Sequence, residues 1–100
     1  MFRAVGPDEF YDIMNNRLFR PGPYSFDGKQ FGYNFDEVLK LTDFLKDSSA
    51  IIKVKLLKSV IDELDHTPVE KMILKGGSVT VHPDKYDIFN QSILEIIHEY

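Results

Sequence analysis

The chain predicts an α+β fold, a mixed and twisted sheet of about five short strands carrying three to four short helices. Three observations lead there. Apolar residues switch repeatedly between a helical period near 3.6 and a strand period of two. The strand-like segments are short and half-polar, unlike the continuous apolar runs of a doubly wound parallel sheet. Finally, 100 residues with 43% hydrophobic and 28% charged content suit one compact domain, residues 1–100, rather than a disordered chain.

Phe2-Arg3-Ala4-Val5 reads as a short strand, stopped by Gly6-Pro7. Pro7 suits the first turn of a helix. Phe10, Ile13 and Met14 then recur at i, i+3, i+4 behind Asp8 and Glu9, which predicts an amphipathic helix over 8–16. Arg17 to Arg20 is a brief extended piece. Pro21-Gly22-Pro23 forces a loop that runs to about Gly28.

Lys29 to Tyr33 reads as a strand. Asn34 is a strong helix N-cap, and Glu37 three positions on completes a box-like pattern. Val38, Leu41, Phe44 and Leu45 share one face, predicting a helix over 35–46 that Asp47-Ser48-Ser49 breaks. Ala50 to Leu57 is a strand open to solvent on one side. Ser59 is expected to cap a short helix holding Val60, Ile61 and Leu64. His66-Thr67-Pro68 is a turn, Val69 to Leu74 is ambiguous, and Gly76-Gly77 is punctuation. Ser78 to His82 is a strand ended by Pro83-Asp84. A short helix over 84–90 and a strand over 92–98 finish the chain.

Composition narrows the chemistry. No cysteine is present, so neither a disulfide framework nor a thiolate site can form. The longest apolar stretch falls far short of the ~20 residues a membrane span needs, and the N-terminus turns acidic too soon for a signal peptide. No membrane partner and cytosolic action are the simplest expectations. Acidic residues outnumber basic ones 16 to 12, for a net charge of −4, which argues against bulk nucleic-acid binding. All three arginines lie in the first twenty residues, and nine of the thirteen aromatics lie between Phe2 and Phe35. The N-terminal third is thus where planar cations and π-faces gather, although burial preferences alone would put those aromatics in the core.

Several site types are excluded or weak. His66, His82 and His98 lack metal-ligand spacing and thiolate support, so no metal is expected. Neither a dinucleotide-binding nor a P-loop glycine pattern occurs, and there is no nucleophile elbow. A compact ribonuclease using His82 or His66 with Arg3 or Arg20 remains an alternative, disfavoured by the acidic charge.

One constellation stands out, carried by FRAVGPDEFYDIM, RLFRPG, DGKQFGYNFDEVLK and KGGSVTVHPDKYDIFNQSI. In this order it resembles small ADP-ribosyltransferase-like domains of the bacterial polymorphic-toxin type, over nearly the whole chain and through many weak matches. The resemblance implies an NAD-dependent transferase of the glycosyltransferase class. Such a domain modifies a macromolecular target, is held in check by a cognate immunity protein, and acts in the cytoplasm or after secretion or delivery into a target cell. NAD⁺ would be its substrate, bound in a cleft between two small sheets.

By that resemblance, Arg3 would hold the phosphates or ribose, with Arg20 from the loop on the cofactor side. Tyr33 and Asn34 would support the nicotinamide ribose. Phe31, Tyr24 or Phe26 would stack on nicotinamide. The chemistry is coherent, because nicotinamide leaves through an oxocarbenium-like state that needs positioning and charge stabilisation. The chain departs from the family at one position. Where a catalytic glutamate begins the late strand, this chain has Ser78, and no acid occurs between Glu70 and Asp84. Either Glu70 or another acid serves, or the chain binds without turnover as a protein-interaction module, or the register of the match is offset.

Overall fold

The computed structural model describes residues 1–20, 28–45 and 48–100. Strand β1 (Phe2–Val5) leads through Gly6 into α1 (Pro7–Asn16), which opens on Pro7 with Asp8 and Glu9 in its first turn. Arg17 ends α1 in the left-handed region (φ 57°), its N–H bonded to the Ile13 carbonyl at 2.7 Å. Strand β2 (Lys29–Gly32) precedes α2 (Phe35–Leu41), and the Asn34 side chain caps α2 by accepting from the Glu37 N–H at 3.1 Å.

Helix α2 is shorter than the periodicity predicts. It tightens into a 3₁₀ turn over Thr42–Phe44, where the Thr42 hydroxyl donates to the Leu39 carbonyl at 2.5 Å. A hydroxyl bonded to its own helix competes with regular α propagation.

Strand β3 (Ala50–Leu56) is followed by a single turn, α3 (Lys58–Ile61). Ser59 does not cap it: Leu57 holds the cap position and Ser59 lies inside the turn. Strand β4 (Ser78–Val81), a 3₁₀ turn at Pro83–Lys85, α4 (Tyr86–Gln91) and β5 (Ile93–His98) complete the order.

All five strands join one sheet in the order β4-β2-β1-β3-β5, and every pairing is antiparallel. Two expectations are corrected here. The sheet is not mixed, and its strands do not split into two small sheets. The connections explain the difference. Strands β2 and β3 do run in the same direction across α2, but β1 sits between them in the opposite sense. Alternation in a sequence reveals faces, not neighbours.

Each face of the sheet carries its own core. On one face, Val5, Phe31, Ile52, Val54, Val79 and Val81 pack under α1 and α4. At its centre Phe19, Phe31 and Phe89 meet with ring centroids 5.2–5.5 Å apart. The Asn90 amide clasps the backbone of Phe19 on both sides, accepting from its N–H at 2.8 Å and donating to its carbonyl at 2.9 Å. On the other face Ile51 packs with Val38 of α2 and Leu74, flanked by Phe2, Ala4 and Ile73. Burial on both faces is why β3 opens with consecutive apolar residues rather than a strict alternation.

Candidate functional site

Strands β1 and β2 touch through a single register pair, Phe2 with Gly32. Beyond it they splay, and Arg3 fills the gap. Its Nη1 donates to the Gln30 carbonyl of β2 at 3.1 Å. Its Nε and Nη2 grip the two oxygens of Glu9 at 2.6 and 3.0 Å. The guanidinium carbon lies 6.0 Å from the centre of the Phe31 ring. Three of the five guanidinium donors are therefore taken within the described residues, in the fork geometry that suits arginine.

Lys29 joins the same cluster, its Nζ 3.4 Å from Glu9 Oε2. Its side chain is only 6% exposed, and burial pushes its ammonium below the ordinary lysine range. Burial alone would raise the Glu9 carboxyl, yet the hydrogen bond and charge of Arg3, with help from Lys29, hold it below its usual value. Two cations thus share one carboxylate in a mostly buried setting. Tyr86, pushed up chiefly by burial, feels the charges of Arg3 and Glu9. Its hydroxyl is buried without a hydrogen-bond partner among the described residues.

The gap between β1 and β2 opens into a cavity of about 350 Å³ lined by Arg3, Ala4, Gly28, Gln30, Leu41 and Glu70. Glu70 is held at φ 47°, in the left-handed region. Its carbonyl accepts from the N–H groups of Ile73 and Leu74 at 2.9 and 2.8 Å, which closes the turn that carries it. A non-glycine residue in this conformation persists only where its surroundings impose it.

A second cavity, of about 430 Å³, lies at the end of β2 and is lined by Tyr33, His66, Lys71, Lys75, Gly77 and Ser78 among others. Its charged lining is cationic. The Tyr33 hydroxyl is pushed up by burial and by the charge of Asp62. Ser78 is buried, and its Oγ accepts from the Val69 N–H at 3.3 Å. Gln30 and Thr80 are register partners, as are Gly32 and Ser78. Both cavities therefore involve the sheet face that carries α2.

The sequence-predicted residues thus fall into groups. Arg3 and Glu70 line one cavity, and Tyr33 and Ser78 line the other. Asn34 caps α2. Phe31 is 1% exposed at the centre of the aromatic core, so neither of its faces is open for stacking. Arg20 is exposed and pairs with Asp12, holding that carboxyl below its usual range. Tyr24 and Phe26 lie outside the described residues.

Sequence reasoning missed Glu9, which it read only as a favourable charge at a helix start. It read Glu37 as the partner of Asn34 in a capping box, but the two Glu37 oxygens accept from the Gly76 N–H at 2.9 and 3.1 Å and so fix the turn before β4. The spacing Arg3–Glu9 across a Gly-Pro turn carried no recognisable pattern.

The histidines stand apart from Arg3 and Glu70. His82 Nε2 meets Asp65 Oδ2 at 2.7 Å, and Asp65 Oδ1 accepts from the Thr67 N–H at 2.9 Å. These two partners, His82 first, hold the Asp65 carboxyl far below the ordinary range. His66 contacts the Ile61 carbonyl at 2.8 Å. Among the described residues no three His, Asp or Glu side chains form a group that could hold a metal ion, and no helix is long and apolar enough to cross a membrane. No family model matches the chain, and neither a curated protein nor a solved structure matches it.

Proposed function

We propose that this chain is an NAD⁺-binding domain of ADP-ribosyltransferase type that transfers ADP-ribose to a macromolecular target. The observation that carries the reading is that Arg3 and Glu70 line one cavity at the split between β1 and β2. A guanidinium and a carboxylate at one cavity are the groups such chemistry requires. The cation binds phosphate or ribose oxygens, and the anion holds a ribose hydroxyl and stabilises positive charge as nicotinamide departs. Among the described residues, two N–H donors of Arg3 are not bonded to Glu9 or Gln30, which fits one phosphate. Tyr33 and Ser78, with Lys71 and Lys75 beside them, line a second, mostly apolar cavity on the same side of the sheet.

A second reading also has a specific observation behind it. Ser78 brings no charge, and its Oγ is engaged by Val69. A member of the fold that binds without turnover, acting on a protein partner, is the alternative.

One experiment separates the two readings and tests both. Thermal melting is followed with millimolar NAD⁺ for the wild type, Arg3→Lys and Glu70→Gln, and free nicotinamide is assayed by chromatography. At ten times Kd, NAD⁺ stabilises by about 1.4 kcal/mol, a rise of roughly 6–11 °C for a domain this size. The transferase reading expects that rise, nicotinamide release, and loss of release in Glu70→Gln. A rise without release favours the binding-only member. Unchanged melting removes the transferase reading.

A further inference from the structure

The two edges of the sheet are finished differently. The outer side of β4 is covered, because Asp65 and Thr80 exchange backbone hydrogen bonds at 2.8 and 3.3 Å. Among the described residues, strand β5 has no strand beyond it. Which of its backbone groups face outward follows from the ladder. Val54 exchanges both of its backbone bonds with Met1, at 2.9 and 3.0 Å, so its N–H and C=O point toward β1. Ile96, its register partner on the other side, receives neither. In an antiparallel ladder such pairs alternate. The main-chain groups of Ile96 and His98, in the regular part of the ladder, therefore face the open edge.

An open edge invites another strand. Here one of its acceptors is already occupied. Arg17, at the end of α1, places Nη1 3.2 Å from the Ile96 carbonyl, over a groove of about 430 Å³ lined by Arg17, Asn90 and residues 93–96. The ladder shifts register at Lys55/Leu56, so the same edge is also bulged near Leu94, whose side chain is 66% exposed. A charged side chain and a bulge are two devices that blunt an edge.

We infer that the β5 edge is a pairing surface for a second copy of this chain, and that Arg17 is the guard that keeps it shut. With Ile96 and His98 outward, a two-fold pair of β5 strands aligns outward-facing groups when centred on Ile96, Ile97 or His98. Centred on His98, that residue opposes itself and the strands overlap only at their ends. Centred on Ile97, Glu95 opposes Glu99. Centred on Ile96, Leu94 meets His98, Glu95 meets Ile97, and no like charges face each other. In that register the Ile96 N–H of one copy donates to the Ile96 carbonyl of the other. That carbonyl is the atom Arg17 holds.

Arg17→Gly tests this cleanly, because glycine suits the left-handed φ of position 17 and so removes the guanidinium without straining the helix end. Arg17→Asn repeats the test with a second residue that tolerates that conformation. Sedimentation velocity is run on the wild type and both variants between about 0.01 and 1 mM, the range in which so small an interface associates. Hydrogen exchange follows the Ile96 amide.

The expected result is a wild type that stays at 11.6 kDa and variants that approach twice that mass and protect Ile96. Adding His98→Pro, which removes an outward N–H at an exposed position in the regular ladder, should return them to monomer. Variants that stay monomeric with wild-type exchange at Ile96 overturn the proposal. So does association that survives His98→Pro, or a wild type that associates as strongly as the variants.

Discussion

Glu9 is the residue on which the Arg3 cluster turns. Its carboxylate answers two cations, and Arg3 and Lys29 sit largely out of water. Glu9→Gln keeps the shape but leaves both cations without a counter-charge. The expected cost is about 2–3 kcal/mol, a fall in melting temperature of roughly 10–20 °C at neutral pH. The pH dependence has a definite sign. Because Glu9 ionises below its ordinary value of 4.5 in the folded chain, its contribution is full above that pH and is lost as pH falls through the folded value. The gap in melting temperature between wild type and Glu9→Gln should therefore narrow as pH is lowered from 7 to about 3. A gap that stays constant would show that Glu9 acts by packing rather than charge.

At the scale of elements, the turn before β4 ties the two sheet-end features together. Gly77 has φ +108°, and a Cβ there would lie 3.1 Å from Tyr33 Cδ2. Gly77→Ala should cost about 1–3 kcal/mol through backbone strain and displace the Tyr33 ring, which tyrosine fluorescence or NMR would report. Asn34→Ala should cost about 1 kcal/mol by uncapping α2, with no change in the Tyr33 signal.

These elements were largely legible in the sequence. The Asn34–Glu37 spacing placed the start of α2, and the alternation of Ser78 to Val81 placed β4. What alternation could not encode was adjacency. That β1 lies between β2 and β3, and that every pairing is antiparallel, depends on contacts between segments tens of residues apart. The site was legible in part for the same reason. Arg3 and Glu70 were named as residues, but the cavity they share exists only because β1 and β2 splay beyond Phe2.

At the scale of the whole molecule, and among the described residues, β1 and β2 are the only neighbours in the sheet that are also consecutive in the chain, and theirs is the shortest ladder. Every longer ladder joins distant segments. Loop-closure entropy must be met before those contacts form, so refolding should take on the order of milliseconds to seconds. Stopped-flow tyrosine fluorescence measures it, and a microsecond phase accounting for the full signal would contradict this topology-based expectation.

The connection from β4 to β5 runs from one edge of the sheet to the other. Both flanks of the sheet are therefore delivered by residues 78–98, while its three central strands are complete by Leu56. A chain emerging from the ribosome carries that central trio with both sides bare until residues 78–98 have followed. Any truncation upstream of β5 leaves the edge of β3 bare and exposed to chaperones and proteases.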